Sequence, residues 1–170
     1  MEGLIINLME ACEQALAEPT NYPSRANLMW CATMALNGWT AAGLGKTAFP
    51  MHMIEHAMSA LYDVPHGAGL SVVMPAWMGW AAERRPQKFA QLATRVFGIQ
   101  QGGEDERALN GINRLRAWFA QVGSPTTLEA IGIPATAIPA LATNSLTQAK
   151  LWRLEGYDQQ TVEGILKRAV

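Results

Sequence analysis

His52-Met53-Ile54-Glu55-His56-Ala57-Met58-Ser59-Ala60-Leu61-Tyr62-Asp63-Val64-Pro65-His66-Gly67-Ala68-Gly69 holds all three histidines of a 170-residue chain. His52 and His56 are four residues apart. On a helix they share one face, with Cβ atoms about 6 Å apart. Residues 62–65 read as a short connection, and a second helix follows from about Gly67. Two antiparallel helices joined there return His66 to the side of His52. The stretch predicts helix, turn, helix, with His66 returned beside His52.

The same helical reading extends in both directions. Upstream, Leu4, Leu8, Cys12 and Leu16 recur every four residues, a single helical stripe. Pro19 and Pro23 break it. Ser24 is the expected N-cap of the next helix, which runs to Asn37-Gly38. The helix bearing His52 is expected over 46–61 with Pro50 in its first turn, and the following one over 67–83 with a kink at Pro75. Downstream, Pro86 starts a helix that Gly98 closes. Residues 104–122 repeat the pattern with Leu109, Ile112, Leu115 and Phe119, ended by Gly123. Short helices are expected before Gly132 and over 134–141, and a last one from about Asp158. No stretch alternates as a strand would. The expected class is all-α, one domain over 1–170.

Composition limits the function. Apolar residues are 49% and charged residues 16%, which excludes a disordered chain. The formal net charge of −1 gives no phosphate-tracking surface, so no nucleic-acid partner is expected. Residues 27–45 carry no charge, a length that could flag a membrane span. Asn37-Gly38 interrupts it and threonines and alanines dilute it, so a buried helix and a turn are expected there, with no membrane partner. The acidic start lacks a basic leader region. Cys12 and Cys31 sit in no motif and read as small hydrophobes of a reducing compartment, so a cytoplasmic location is expected. Charge is uneven: residues 1–82 hold 8 of the 27 charged side chains. That half is either the buried centre of the domain or a face that a partner covers. Trp30, Trp39, Trp77 and Trp80 lie in it and read as packing. Arg84-Arg85, Arg114 and Arg116 read as solvated surface.

The histidines carry the chemistry. Any one of them fits a polar core or surface position. Three within fifteen residues point to a metal or catalytic site, since imidazole is the commonest metal ligand near neutral pH. Locally, His52-Met53-Ile54-Glu55-His56 also matches H-x-x-E-H, the inverted zinc-peptidase motif. There His52 and His56 would hold zinc, Glu55 would be the general base, and Glu129 would complete the site. That reading leaves His66 without a role.

The full stretch from His52 to Gly69 resembles the histidine signature of the iron-containing (group III) alcohol dehydrogenases. That signature has two metal-ligand histidines fourteen residues apart, a third active-site histidine four after the first, and a closing His-Gly. His52, His66, His56 and His66-Gly67 match these positions. Glu18-Pro19-Thr20-Asn21-Tyr22-Pro23-Ser24-Arg25-Ala26-Asn27-Leu28-Met29-Trp30, continuing through Ala35-Leu36-Asn37-Gly38, is similar to the butanol dehydrogenase and NADPH-dependent aldehyde reductase branch. The likeness continues through 92–98 and 123–132 and thins over the last thirty residues.

The resemblance implies a helical C-terminal domain of the dehydroquinate synthase-like fold. It implies an oxidoreductase that interconverts small aliphatic aldehydes and primary alcohols with NAD(P), a divalent metal acting as Lewis acid. His52 and His66 would be the metal ligands. His56 would line the substrate and nicotinamide side as the catalytic and cofactor-contacting residue, relaying a proton. Fe²⁺ and Zn²⁺ both suit imidazole. The family's Rossmann-like domain precedes its helical one, and this chain has no G-x-G-x-x-G. The family's other two ligands, an aspartate and a histidine, lie on a helix upstream of the matched region. The expectation is half of a four-ligand site, NAD(P) binding only in a full-length protein, no activity in this chain alone, and self-association through the uncharged half. A non-enzymatic helical module with vestigial histidines is the other reading.

Overall fold

Pro23, Pro50, Pro86 and Pro139 each stand at the first or second position of an α-helix. Proline's missing N–H costs nothing there, and its fixed φ already suits the helix. The computed structural model describes residues 1–45 and 47–170. It contains α1 (Glu2–Ala17), α2 (Tyr22–Leu36), α3 (Pro50–Tyr62), α4 (His66–Ala82), α5 (Pro86–Phe97), α6 (Glu104–Gln121), α7 (Ile138–Trp152) and α8 (Gln159–Leu166). Short 3-10 turns occur at Trp39–Ala41, Glu129–Ile131, Ala135–Ala137 and Lys167–Ala169. Among the described residues there is no strand, and the all-α expectation holds.

Three sequence expectations need correction. Asn21, not Ser24, caps α2: its side chain accepts from the Ser24 backbone N–H at 3.0 Å, and Pro23 lies inside the first turn instead of ending a helix. The helix expected over 134–141 is a 3-10 turn followed by α7, which runs on to Trp152. Thr143, Asn144, Ser145 and Thr147 hid that continuation, because short polar residues lower helix propensity without preventing a packed helix. Finally, α2 is not buried; only Ser24 and Cys31 are. Lys46, expected to start the third helix, lies outside the described residues, and α3 begins at Pro50.

Helix α4 is the axis of the domain. It is apolar all round, as a helix packed on every side must be. Val72, Val73 and Ala76 join a core formed with Met53, Ile54 and Met58 of α3, Leu141 of α7 and Val162, Ile165 and Leu166 of α8. Met78 faces a second core with Ile112, Leu115 and Trp118 of α6, flanked by Leu8 and Met9 of α1 and by Phe89 and Leu92 of α5. Pro75 sits within α4 without ending it. Ser71 Oγ has the carbonyls of Pro125 at 2.6 Å and Ala68 at 2.9 Å within reach of its one proton, which ties α4 to the loop ahead of Leu128. Among the described residues, no helix is long and apolar enough to cross a membrane.

Candidate metal centre

The turn between α3 and α4 sets the site. Asp63 ends α3 in the left-handed conformation, φ 52°, which short polar side chains tolerate better than most. Val64 is buried and anchors the turn. Pro65 caps α4, so His66 is that helix's first residue. The chain thereby reverses within three residues and brings His66 back over the first turns of α3.

All three histidines come together. The ring centroids of His52 and His66 are 5.2 Å apart, and those of His56 and His66 are 5.5 Å apart. His66 lies against the other two. Phe49 meets the His52 ring edge-on at 5.4 Å, and Trp152 of α7 meets His56 at 5.3 Å. His52 is half-buried and His56 exposed. Burial, then the charges of His66 and His56, hold the His52 ring below the usual imidazole range, with Glu55 opposing. His52 is therefore neutral near neutral pH, with a lone pair free for a ligand. Its Nδ1 is buried and has no hydrogen-bond partner. A buried ring nitrogen without a protein partner is uncommon, and a bound ion or water can satisfy it.

Glu55, the general base of the zinc-peptidase alternative, is not placed to act as one. Its side chain is 0% exposed, under a His66 that is 49% exposed. One carboxylate oxygen is hydrogen-bonded to His66 Nδ1. The other accepts from Ser59 Oγ at 2.6 Å. A zinc-peptidase base must reach a water on the ion. Glu55 is sealed from water and already engaged, and Glu129 is exposed on a 3-10 turn outside the cluster. The peptidase reading fails on both counts. Glu55, His56 and His66 offer ligand atoms within 4.8 Å of one another. Of these, the carboxylate is spent on His66 and Ser59, which leaves imidazoles as the donors. Sequence analysis also missed Phe49, Ser59 and Trp152; only a buried glutamate in the apolar run of α3 hinted at a polar network there.

The donor set fits a divalent transition ion. Imidazole suits Fe²⁺ and Zn²⁺ alike. Two rings bonded to one ion at about 2.1 Å hold their centroids roughly 5 Å apart, and both histidine pairs meet that spacing.

A family model for the C-terminal part of the Fe-containing alcohol dehydrogenases matches residues 2–170. The chain is 39% identical over 140 residues to the NADPH-dependent aldehyde reductase YqhD of Escherichia coli, covering 82% of this chain and 36% of that protein. It is 30% identical over 171 residues to a probable NADH-dependent butanol dehydrogenase of Bacillus subtilis, covering 99% and 44%. The crystal structure of NADH-dependent butanol dehydrogenase A from Thermotoga maritima superposes with a TM-score of 0.93 at 36% identity, again over 99% of this chain and 44% of the other. The chain thus spans less than half the length of these relatives.

Proposed function

The chain belongs to the iron-containing alcohol dehydrogenase family, and from that premise we propose that its histidine cluster is part of the metal site of an NAD(P)-linked alcohol dehydrogenase or aldehyde reductase. His52 and His66 are the metal ligands, and His56 lines the substrate and nicotinamide side. The observation that carries this is the packing of His66 against both His52 and His56, beside a buried His52 Nδ1 without a partner. A bound divalent ion would act there as a Lewis acid on the substrate oxygen.

The residues of this chain have separable tasks. His52, neutral because it is buried, presents a nitrogen lone pair. His66, half-exposed, is held from behind by Glu55. His56 is exposed and rests edge-on against Trp152, where it can pass a proton between solvent and a bound alcohol. The substrates in this reading are small aliphatic aldehydes and primary alcohols, supported by relatives named as butanol dehydrogenases and an aldehyde reductase.

Two imidazoles leave a divalent ion's coordination incomplete. In this reading the remaining ligands, and the NAD(P) site, belong to the part of the relatives that the chain does not match. The chain alone is then inactive and binds metal weakly. Calorimetric titration of Zn²⁺ and of anaerobic Fe²⁺ into wild type and the His52→Ala/His66→Ala double variant tests it. Weak binding that the double variant abolishes is the expected result. Identical titrations of both proteins would mean that the histidines are vestigial.

A further inference from the structure

Glu55 is a carboxylate with no water contact in the middle of an apolar core. Its helix neighbours Met53, Ile54, Ala57 and Met58 are all buried, and it is buried with them. An ionised group is kept in such a place only when paired and hydrogen-bonded. Both oxygens are used: one on His66 Nδ1, one on Ser59 Oγ. Ser59 is itself tied to the turn, within 2.8 Å of the Val64 carbonyl. On the far side, Gly69 leaves the room this side chain occupies. A Cβ at Gly69 would lie 2.7 Å from Glu55 Cγ and 2.8 Å from Oε1. The backbone of α4 and a serine of α3 thus hold the buried carboxylate that meets one nitrogen of His66.

We propose that Glu55 is the positioning residue of the metal site: it takes the Nδ1–H of His66, fixes that ring's tautomer and orientation, and so presents Nε2 outward to a divalent cation. The chemistry follows from what each group can do. A carboxylate oxygen accepts hydrogen bonds, and the ring nitrogen that faces one is the nitrogen that carries the proton. The lone pair of the neutral ring then sits on Nε2. A carboxylate behind a ligating histidine also raises that ligand's basicity, and loss of such partners typically weakens metal binding roughly 10- to 100-fold. His52 has no such partner, since its Nδ1 is unpaired. The two histidines are therefore unequal: His66 is held by a hydrogen bond to a carboxylate, whereas His52 is held by packing against Phe49. Gly69 is the second half of the device, because any side chain there displaces the carboxylate from His66.

This inference rests on the reading of His66 as a metal ligand, and the test separates the two. The histidine side-chain nitrogens of the ¹⁵N-labelled 170-residue chain are observed by long-range ¹H–¹⁵N spectroscopy, first metal-free and then during titration with Zn²⁺ alone. The metal-free spectrum at mildly alkaline pH is expected to show His66 protonated on Nδ1. An Nε2–H tautomer overturns the proposal with no variant made. In the titration, Glu55→Gln and Gly69→Ala are each expected to weaken Zn²⁺ binding at His66 about 10- to 100-fold. The nearest atoms to a Cβ at Gly69 all belong to Glu55, so this substitution acts first on that carboxylate. Unchanged affinity in both variants overturns the proposal. His66→Ala is the control: if it binds Zn²⁺ as wild type does, the ligand reading fails, while the tautomer still reports on the Glu55 contact by itself.

Discussion

Ser59 has one hydroxyl proton and two acceptors in reach, Glu55 Oε1 at 2.6 Å and the Val64 carbonyl at 2.8 Å. It links the carboxylate behind His66 to the turn that places His66. Ser59→Ala leaves a buried carboxylate oxygen short of a partner, and such a loss costs about 1–3 kcal/mol. Urea unfolding of this variant should show that loss with an unchanged m-value. The three histidines were legible in the sequence because their spacing is a property of the chain itself. The role of Glu55 was not. A glutamate three residues after His52 and eleven before His66 looks like a catalytic base when only its neighbours in sequence are considered. What decides its role is burial and the Gly69 backbone, and both depend on how α4 packs on α3. Trp30 and Trp39 were misjudged for the same reason: read as packing, they are 61% and 70% exposed.

Helix α6 lies close on α5 because Gly111 faces Ala93. A Cβ added at Gly111 would lie 2.6 Å from the Ala93 Cβ and 3.0 Å from its Cα. Ala93 is fully buried and cannot swing aside. Gly111→Val should therefore lower stability by about 1–3 kcal/mol, the usual cost of overpacking, seen as a lower urea midpoint. At the start of α8, Asp158 accepts the backbone N–H of Thr161 at 2.8 Å, and that bond holds its carboxyl below the usual range. Because the folded pKa is depressed, the bond stabilises the fold above the unfolded value of about 3.9 and is lost as pH falls through the lower folded value. The melting temperature of wild type should exceed that of Asp158→Ala near neutrality, with the gap closing below about pH 4. Among the helices, α7 was the least legible. Its polar residues gave no stripe, and the core that α3 and α8 offer it holds it in place.

At the scale of the molecule, α1 and α2 form a hairpin whose outer side is left uncovered. Tyr22 is 80% exposed, Leu36 81% and Met29 74%, with Trp30 beside them. Among the described residues, eleven of the fourteen large apolar side chains that stand exposed lie within residues 1–62, in the half of the chain that is poor in charge. The sequence left two accounts of that half open, a buried centre or a covered face, and α2 is not a buried centre: its outer face is exposed. An exposed apolar face of this kind is a surface through which a lone chain is expected to associate. Sedimentation of the 170-residue chain should show a concentration-dependent assembly that tightens with kosmotropic salt, as hydrophobic contacts do. Met29→Glu/Trp30→Glu should shift it to monomer while changing stability by no more than about 0.5 kcal/mol per site, because neither side chain is buried in the fold. A monomer at high concentration in the wild type would mean that the outer face of α2 is too small or too interrupted to hold a partner. The same double variant leaves the histidines untouched, so Zn²⁺ affinity should not follow the change in assembly. If it does, a ligand is being supplied across the interface, and the half-site on α3 and α4 is completed by a second copy of the chain.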